Sequence, residues 1–139
     1  MAYWLVKSEP DAWSWDQQVE AGAKGTAWTG VRNHTAKLNL MKMKKGDRAF
    51  FYHSNEGKEI VGVVEVVRES YPDPTAEPGS PWVAVDMRAV GPAPKPVALT
   101  AIKAEPKLKE MALLKQSRLS VQPVTAEEWK MIAKMTGWK

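Results

Sequence analysis

Four short stretches carry the residue types best equipped for chemistry. In Trp28-Thr29-Gly30-Val31-Arg32-Asn33 an indole stands next to a glycine, a guanidinium and a primary amide. Such an indole can stack on a flat π-system while its neighbours bond the edges, and stacking of this kind is worth about 1–3 kcal/mol per base. The same indole can also be packing beneath a loop. Lys7-Ser8-Glu9-Pro10 sets a cation, a hydroxyl and a carboxylate where a first strand ends. Phe51-Tyr52-His53-Ser54 closes another strand. Alternation must bury one aromatic of that pair; either His53 then simply ends the strand, or His53 or Ser54 stands at the mouth of a pocket. Arg118, Ser120 and Gln122 alternate along an expected extended segment and would share a face, either as surface or as a second wall of the same site.

Other chemistries find no equipment. The histidines number two, His34 and His53, and neither has a partner at the spacing of a helical metal pair. Cysteine is absent, which removes disulfides, thiol nucleophiles and thiolate zinc sites. Phosphate-cradling and dinucleotide glycine loops are missing, as is the nucleophile elbow. No metal or cofactor is expected.

The chain has 139 residues, 44% hydrophobic and 26% charged, with a net charge of +4, as expected of one globular domain spanning residues 1–139 with a mild attraction for polyanions. Seven tryptophans are unusual. Trp4, Trp82 and Trp129 fall inside expected strands and a helix, where an indole mainly fills core. No apolar run nears the roughly 20 residues of a membrane-spanning helix, and no export signal opens the chain. A cytoplasmic monomer that makes no membrane contact is expected.

The elements that must position these groups are legible from period and punctuation. Tyr3 to Lys7 predicts a strand ended by Pro10. Ser14 with Gln17 predicts a capping box and a helix from Trp15 to Ala21, and residues 23–32 read as loop. Asn33 caps a helix through Met43. Arg48 to Ser54 and Glu59 to Glu69 predict two buried strands joined by Asn55-Glu56-Gly57-Lys58, with Gly62 marking a bulge or a close approach. Tyr71-Pro72-Asp73-Pro74 opens a proline-rich loop, and Trp82 to Val90 is a half-exposed strand. Gly91 to Pro96 reads as a connector without regular pairing, because each proline lacks an N–H. Helices at Leu99 to Lys103 and Lys107 to Gln116, an extended segment to Val124, and a helix capped by Thr125 and Glu128 complete the chain. Together they predict an α+β fold: a curled, mostly antiparallel sheet, a half-open barrel, flanked by short helices.

Taken in order, KSEP, WTGVRNH, FYHS, IVGVVEV, YPDPT, MALLK and RLSVQPVTAEEW resemble the EVE domain family from Tyr3 almost to the carboxy terminus. The resemblance implies a PUA-like fold, related to YTH and ASCH domains, and binding of nucleic acid, DNA or RNA, that carries a modified and typically methylated base. It implies that the base is flipped into a pocket formed by Ser8, Trp28, Gly30, Val31, Asn33, Tyr52, His53 and Ser54, without catalysis. Lys7, Arg32, Tyr71, Arg118, Ser120 and Gln122 would lie at the rim or near phosphate. Two alternatives stay open: a small enzyme using His53 with Glu9 or Asp73 as its orienting carboxylate, and a ligand-regulated protein-interaction module.

Overall fold

The structure is a computed structural model that describes residues 1–55 and 57–138. Glu56, in the expected hairpin loop, lies outside the described residues. Six strands form one curled sheet: β1 (Tyr3–Ser8), β2 (Thr26–Trp28), β3 (Arg48–His53), β4 (Glu59–Pro72), β5 (Val83–Ala98) and β6 (Val121–Val124). Their spatial order is β2-β5-β4-β3-β1-β6. All pairs are antiparallel except β1 with β3, which run side by side in register Val6 to Phe51, Lys7 to Tyr52 and Ser8 to His53. The result is a half-barrel flanked by α1 (Trp15–Glu20), α2 (His34–Lys42), α3 (Leu99–Ala104), α4 (Ala112–Lys115) and α5 (Ala126–Thr136).

Strand alternation divides the core between the two faces of the sheet. Trp4, Val6, Phe51, Val64 and Val85 face α1 and α2 and meet Trp15, Trp28 and Leu40. Leu5, Phe50, Tyr52 and Val63 face the other way, onto Ile102, Leu108, Met111, Trp129 and Ile132. Covering both faces explains why β3 and β4 read as nearly continuous apolar runs. Phe50 stacks on Trp129 with centroids 3.9 Å apart, which fixes α5 against the sheet. The expected capping boxes at Ser14 with Gln17 and at Thr125 with Glu128 both form, and the Asn33 side chain caps α2.

Four local expectations are corrected. Thr26–Trp28 is not loop but a short edge strand on β5, entered through Gly25, whose positive φ and contact with the Met87 backbone leave no room for a Cβ. Gly91 to Pro96 is not an unpaired connector but part of β5. Pro92, Pro94 and Pro96 alternate, so their missing donors fall on one side of the strand, and β2 pairs only with Val85 to Met87; here β5 needs bonds to β4 alone. The expected helix at Lys107 to Gln116 is a 3-10 turn at Pro106–Leu108 followed by α4.

Fourth, residues 117–120 are a turn and not extended strand, so Arg118, Ser120 and Gln122 do not share a face. The Gln122 amide, wholly buried, donates to the carbonyls of Gln116 and Leu119 and holds that turn closed. Gly62 does mark a bulge in its pairing with β5, and the close approach is by an indole: Trp15 lies directly on its Cα.

Candidate binding site

Because β1 and β3 are parallel, both finish at the same end of the sheet, with Ser8 opposite His53. The chain leaves β1 through a turn in which the N–H groups of Ala12 and Trp13 both donate to the Glu9 carbonyl. The Ser8 hydroxyl donates to the Trp13 carbonyl at 2.5 Å. Its proton is thereby committed, and only oxygen lone pairs remain for a ligand. The Trp13 indole N–H donates to Gln18 Oε1 at 2.8 Å, and the buried Gln18 amide donates in turn to the Met87 carbonyl at 2.9 Å. A half-exposed indole is thus pinned to the sheet through one glutamine.

His53 fixes the start of α1: its Nε2 accepts the Trp15 N–H at 3.1 Å. That lone pair is occupied, so it is not available as a general base. Partial burial pushes the imidazole below its ordinary value, against the opposing pull of Glu59 and Asp16.

Opposite this turn, β2 delivers Trp28, which is 8% exposed and packs edge-on against Phe51 with centroids 5.6 Å apart. The chain then turns at Gly30, where φ is +81°, a conformation that favours glycine. The Gly30 N–H donates to Asp73 Oδ2 at 2.9 Å, and the Arg32 guanidinium reaches the same oxygen at 3.0 Å. Thr75 donates its N–H and its hydroxyl to Asp73 Oδ1, both at 2.7 Å. Burial alone would raise the Asp73 carboxyl, but the hydrogen bonds from Thr75, Gly30 and Arg32 outweigh it and hold the group at about 2. Arg32 also lies 5.8 Å over Trp82, whose ring meets His34 at 4.8 Å.

Between the two walls is a cavity of about 810 Å³ lined by Lys7, Ser8, Trp13, Trp28, Gly30, Val31, Arg32, Asn33 and Ser120, among others. All of these but Trp13 stand out by residue type and spacing, and the fold brings them together in one place. Tyr52, Ser54 and Arg118 line a neighbouring cavity of about 600 Å³ that shares Lys7, Glu9, Gly30 and Ser120 with the first. His53, Tyr71 and Gln122 line neither. The Tyr71 hydroxyl donates to Asp86 beneath the Arg68 guanidinium; burial and that hydrogen bond push it up to about 12. Asp73, the clasp of the 29–33 segment, is likewise inconspicuous by spacing. Its signal is the Asp-Pro-Thr sequence, an aspartate able to bond the backbone two residues on.

Among the described residues no cluster of three or more metal-ligating side chains occurs, and no helix is long and apolar enough to cross a membrane.

The model of the EVE domain family matches residues 2–135. A Rhodopseudomonas palustris protein solved by NMR is 66% identical, with a TM-score of 0.92 over 99% of this chain and 94% of that one. Human THYN1, crystallised in complex with DNA containing 5-methylcytosine, is 30% identical, with a TM-score of 0.91 over 98% of each chain. The YTH domain of Zygosaccharomyces rouxii MRB1 is 18% identical with a TM-score of 0.59 over 99% of this chain and 87% of that one, a likeness of fold. The chain spans about two thirds of the length of the curated relatives it matches.

Proposed function

The chain belongs to the EVE domain family, and from that premise we propose that it is a non-catalytic nucleic-acid-binding module that takes a methylated base, flipped out of its strand, into the cavity between Trp13 and Trp28. The observation that carries this reading is the cavity itself: two indoles in its walls, hydroxyl lone pairs at Ser8, and cations at its rim in Lys7 and Arg32. Extruding a base costs a few kcal/mol, which stacking and edge hydrogen bonds must offset. The binding of methylated DNA by human THYN1 supports the same use of the fold.

The polarity of the walls favours particular edges. Ser8 can accept but not donate while it holds the Trp13 carbonyl, so it suits a base that offers an N–H. Asn33 spends its side-chain oxygen on the Ala36 N–H, which leaves its NH₂ to donate towards a ring nitrogen or carbonyl. Gly30 and Val31 offer backbone at the same wall. A methyl group adds only about 1 kcal/mol by area, so preference for the modified base depends on a close fit.

Residues 1–139 are read as a single domain acting as a cytoplasmic monomer. The lack of cysteine suits a reducing compartment, and the large exposed apolar side chains of the described residues, Met1, Val19, Leu38 and Met41, are few.

Fluorescence titration with DNA and RNA oligonucleotides carrying methylated cytosine or methylated adenine, each against its plain counterpart, tests the proposal. Tighter binding of a methylated strand, weakened by Trp13→Ala and by Ser8→Ala, is expected. Equal affinity for methylated and plain strands, or no binding at all, would sink it.

A further inference from the structure

We propose that the second cavity binds the nucleotide adjoining the flipped base, with the phosphodiester that links the two held at Lys7. This rests on the reading of the first cavity as the base pocket. The two cavities meet at a shared wall formed by Lys7, Glu9, Gly30 and Ser120. A strand whose base enters the first has a continuous route across that wall into the second.

Lys7 is suited to a phosphate. Its ammonium donates to the Ser117 carbonyl at 2.6 Å and lies 5.9 Å from the Tyr52 ring centroid, and among the described residues no carboxylate comes within 4.0 Å of it. One donor is spent and two remain. A half-buried cation without a counter-charge gains when an anion arrives, because its lost hydration is then replaced. Burial alone lowers its proton affinity, as expected of a charge in want of a partner.

Beyond Lys7 the second cavity changes character. Tyr52, Leu99 and Leu113 give its lining an apolar part, suited to a sugar or base face, and the exposed cations Lys58 and Arg118 line it as well, available to a further phosphate. Glu9 is the single carboxylate in either lining, set against Lys7, Lys58, Arg32 and Arg118. The balance favours a polyanion that runs through both cavities over a lone neutral ring in the first.

The full chain is titrated with a methylated nucleoside and with a short oligonucleotide carrying the same base. The oligonucleotide should bind tighter, on the order of tenfold or more, because it brings phosphates to the cations. The double variant Lys58→Gln/Arg118→Gln should cut that gain severalfold, leaving the part due to Lys7, while the nucleoside binds as before. The salt dependence of oligonucleotide binding should flatten by about 0.7 in log–log slope for each phosphate that is no longer neutralised. Both side chains are exposed, so thermal melts should superimpose. An oligonucleotide advantage that is absent in the parent, or unchanged in the double variant, overturns the second subsite and leaves the base pocket standing. No binding of either ligand by the parent overturns both.

Discussion

Asp73 accepts the N–H of Gly30 across 43 positions of sequence, at 2.9 Å, and so ties the loop after β4 to the mouth of the cavity. Gly30 at positive φ cannot hold its place by side-chain packing, having no side chain. A buried carboxylate that also collects Arg32 and Thr75 does it instead.

Replacing Asp73 with alanine should strand the Gly30 and Thr75 donors and cost about 1–3 kcal/mol for each one left without water. Urea melts read the loss, and oligonucleotide titration should weaken in parallel. The pH dependence has a definite sign. A carboxyl held at about 2, against an ordinary 3.8, stabilises the fold fully above the higher value and ceases to do so as pH falls through the lower. Asp73→Asn should therefore flatten the stability curve across that acid window, and an unchanged curve would contradict the hydrogen-bond account.

Trp13 and Trp28 should separate under substitution. Trp13 is only partly buried, and its loss to alanine should weaken base binding by about 1–3 kcal/mol with a small change in melting temperature. Trp28 packs on Phe51 within the core, and alanine there should cost about 3–5 kcal/mol of stability as well as binding. If the two variants melt alike, the division of labour is wrong.

His53 makes the entry to α1 sensitive to acid. Its proton affinity is depressed, so its contribution is whole above the ordinary value of 6.5 and disappears as pH falls through the lower folded value. Protonation at Nε2 removes the acceptor of the Trp15 N–H. The charges of Glu59 and Asp16 pull the proton affinity back up and so offset part of that depression. Intrinsic tryptophan fluorescence followed from neutral to mildly acid pH should report the loosening. His53→Gln, which can still present an oxygen, should remove the pH step and keep more stability than His53→Ala, by about 1 kcal/mol.

Gly62→Ala should be among the costliest small substitutions in the chain. A Cβ there would meet the Trp15 ring at 2.4 to 2.6 Å, so the indole or the strand must move. A cost of about 1–3 kcal/mol is expected from overpacking of this kind. Chemical denaturation measures it, and a neutral result would show that α1 can shift freely on the sheet.

The strands and helix caps were legible because they depend on local pattern. Ser14 with Gln17 and Thr125 with Glu128 announce their boxes within one helical turn, and Ile60 to Val67 can hardly be anything but a buried strand. What escaped depends on partners far along the chain. Thr26 to Trp28 is too short and too hedged by glycine to announce a strand, and it becomes one only because β5 offers an edge. The proline run 91–96 reads as unpaired until it is known that β5 needs just one neighbour there. Within the site, Trp28, Arg32, Asn33 and Ser8 are conspicuous by type and spacing. Trp13 and Asp73 act through Gln18 and Gly30, contacts that no local spacing encodes. The face expected of Arg118, Ser120 and Gln122 failed for the same reason: the Gln122 amide turns inward to close the bend before it.

The position of β1 between β3 and β6 bears on how the molecule is made. Val6 pairs with Val121, so the strand that carries Lys7 and Ser8 stays half open until residues 121–124 have been synthesised. Pairings that distant in sequence close slowly, since the entropy of the intervening chain is spent before the contact rewards it. During translation the cavity can take shape only after β6 has cleared the ribosome, and until then the apolar faces of β1 and β3 are in the care of whatever meets the nascent chain.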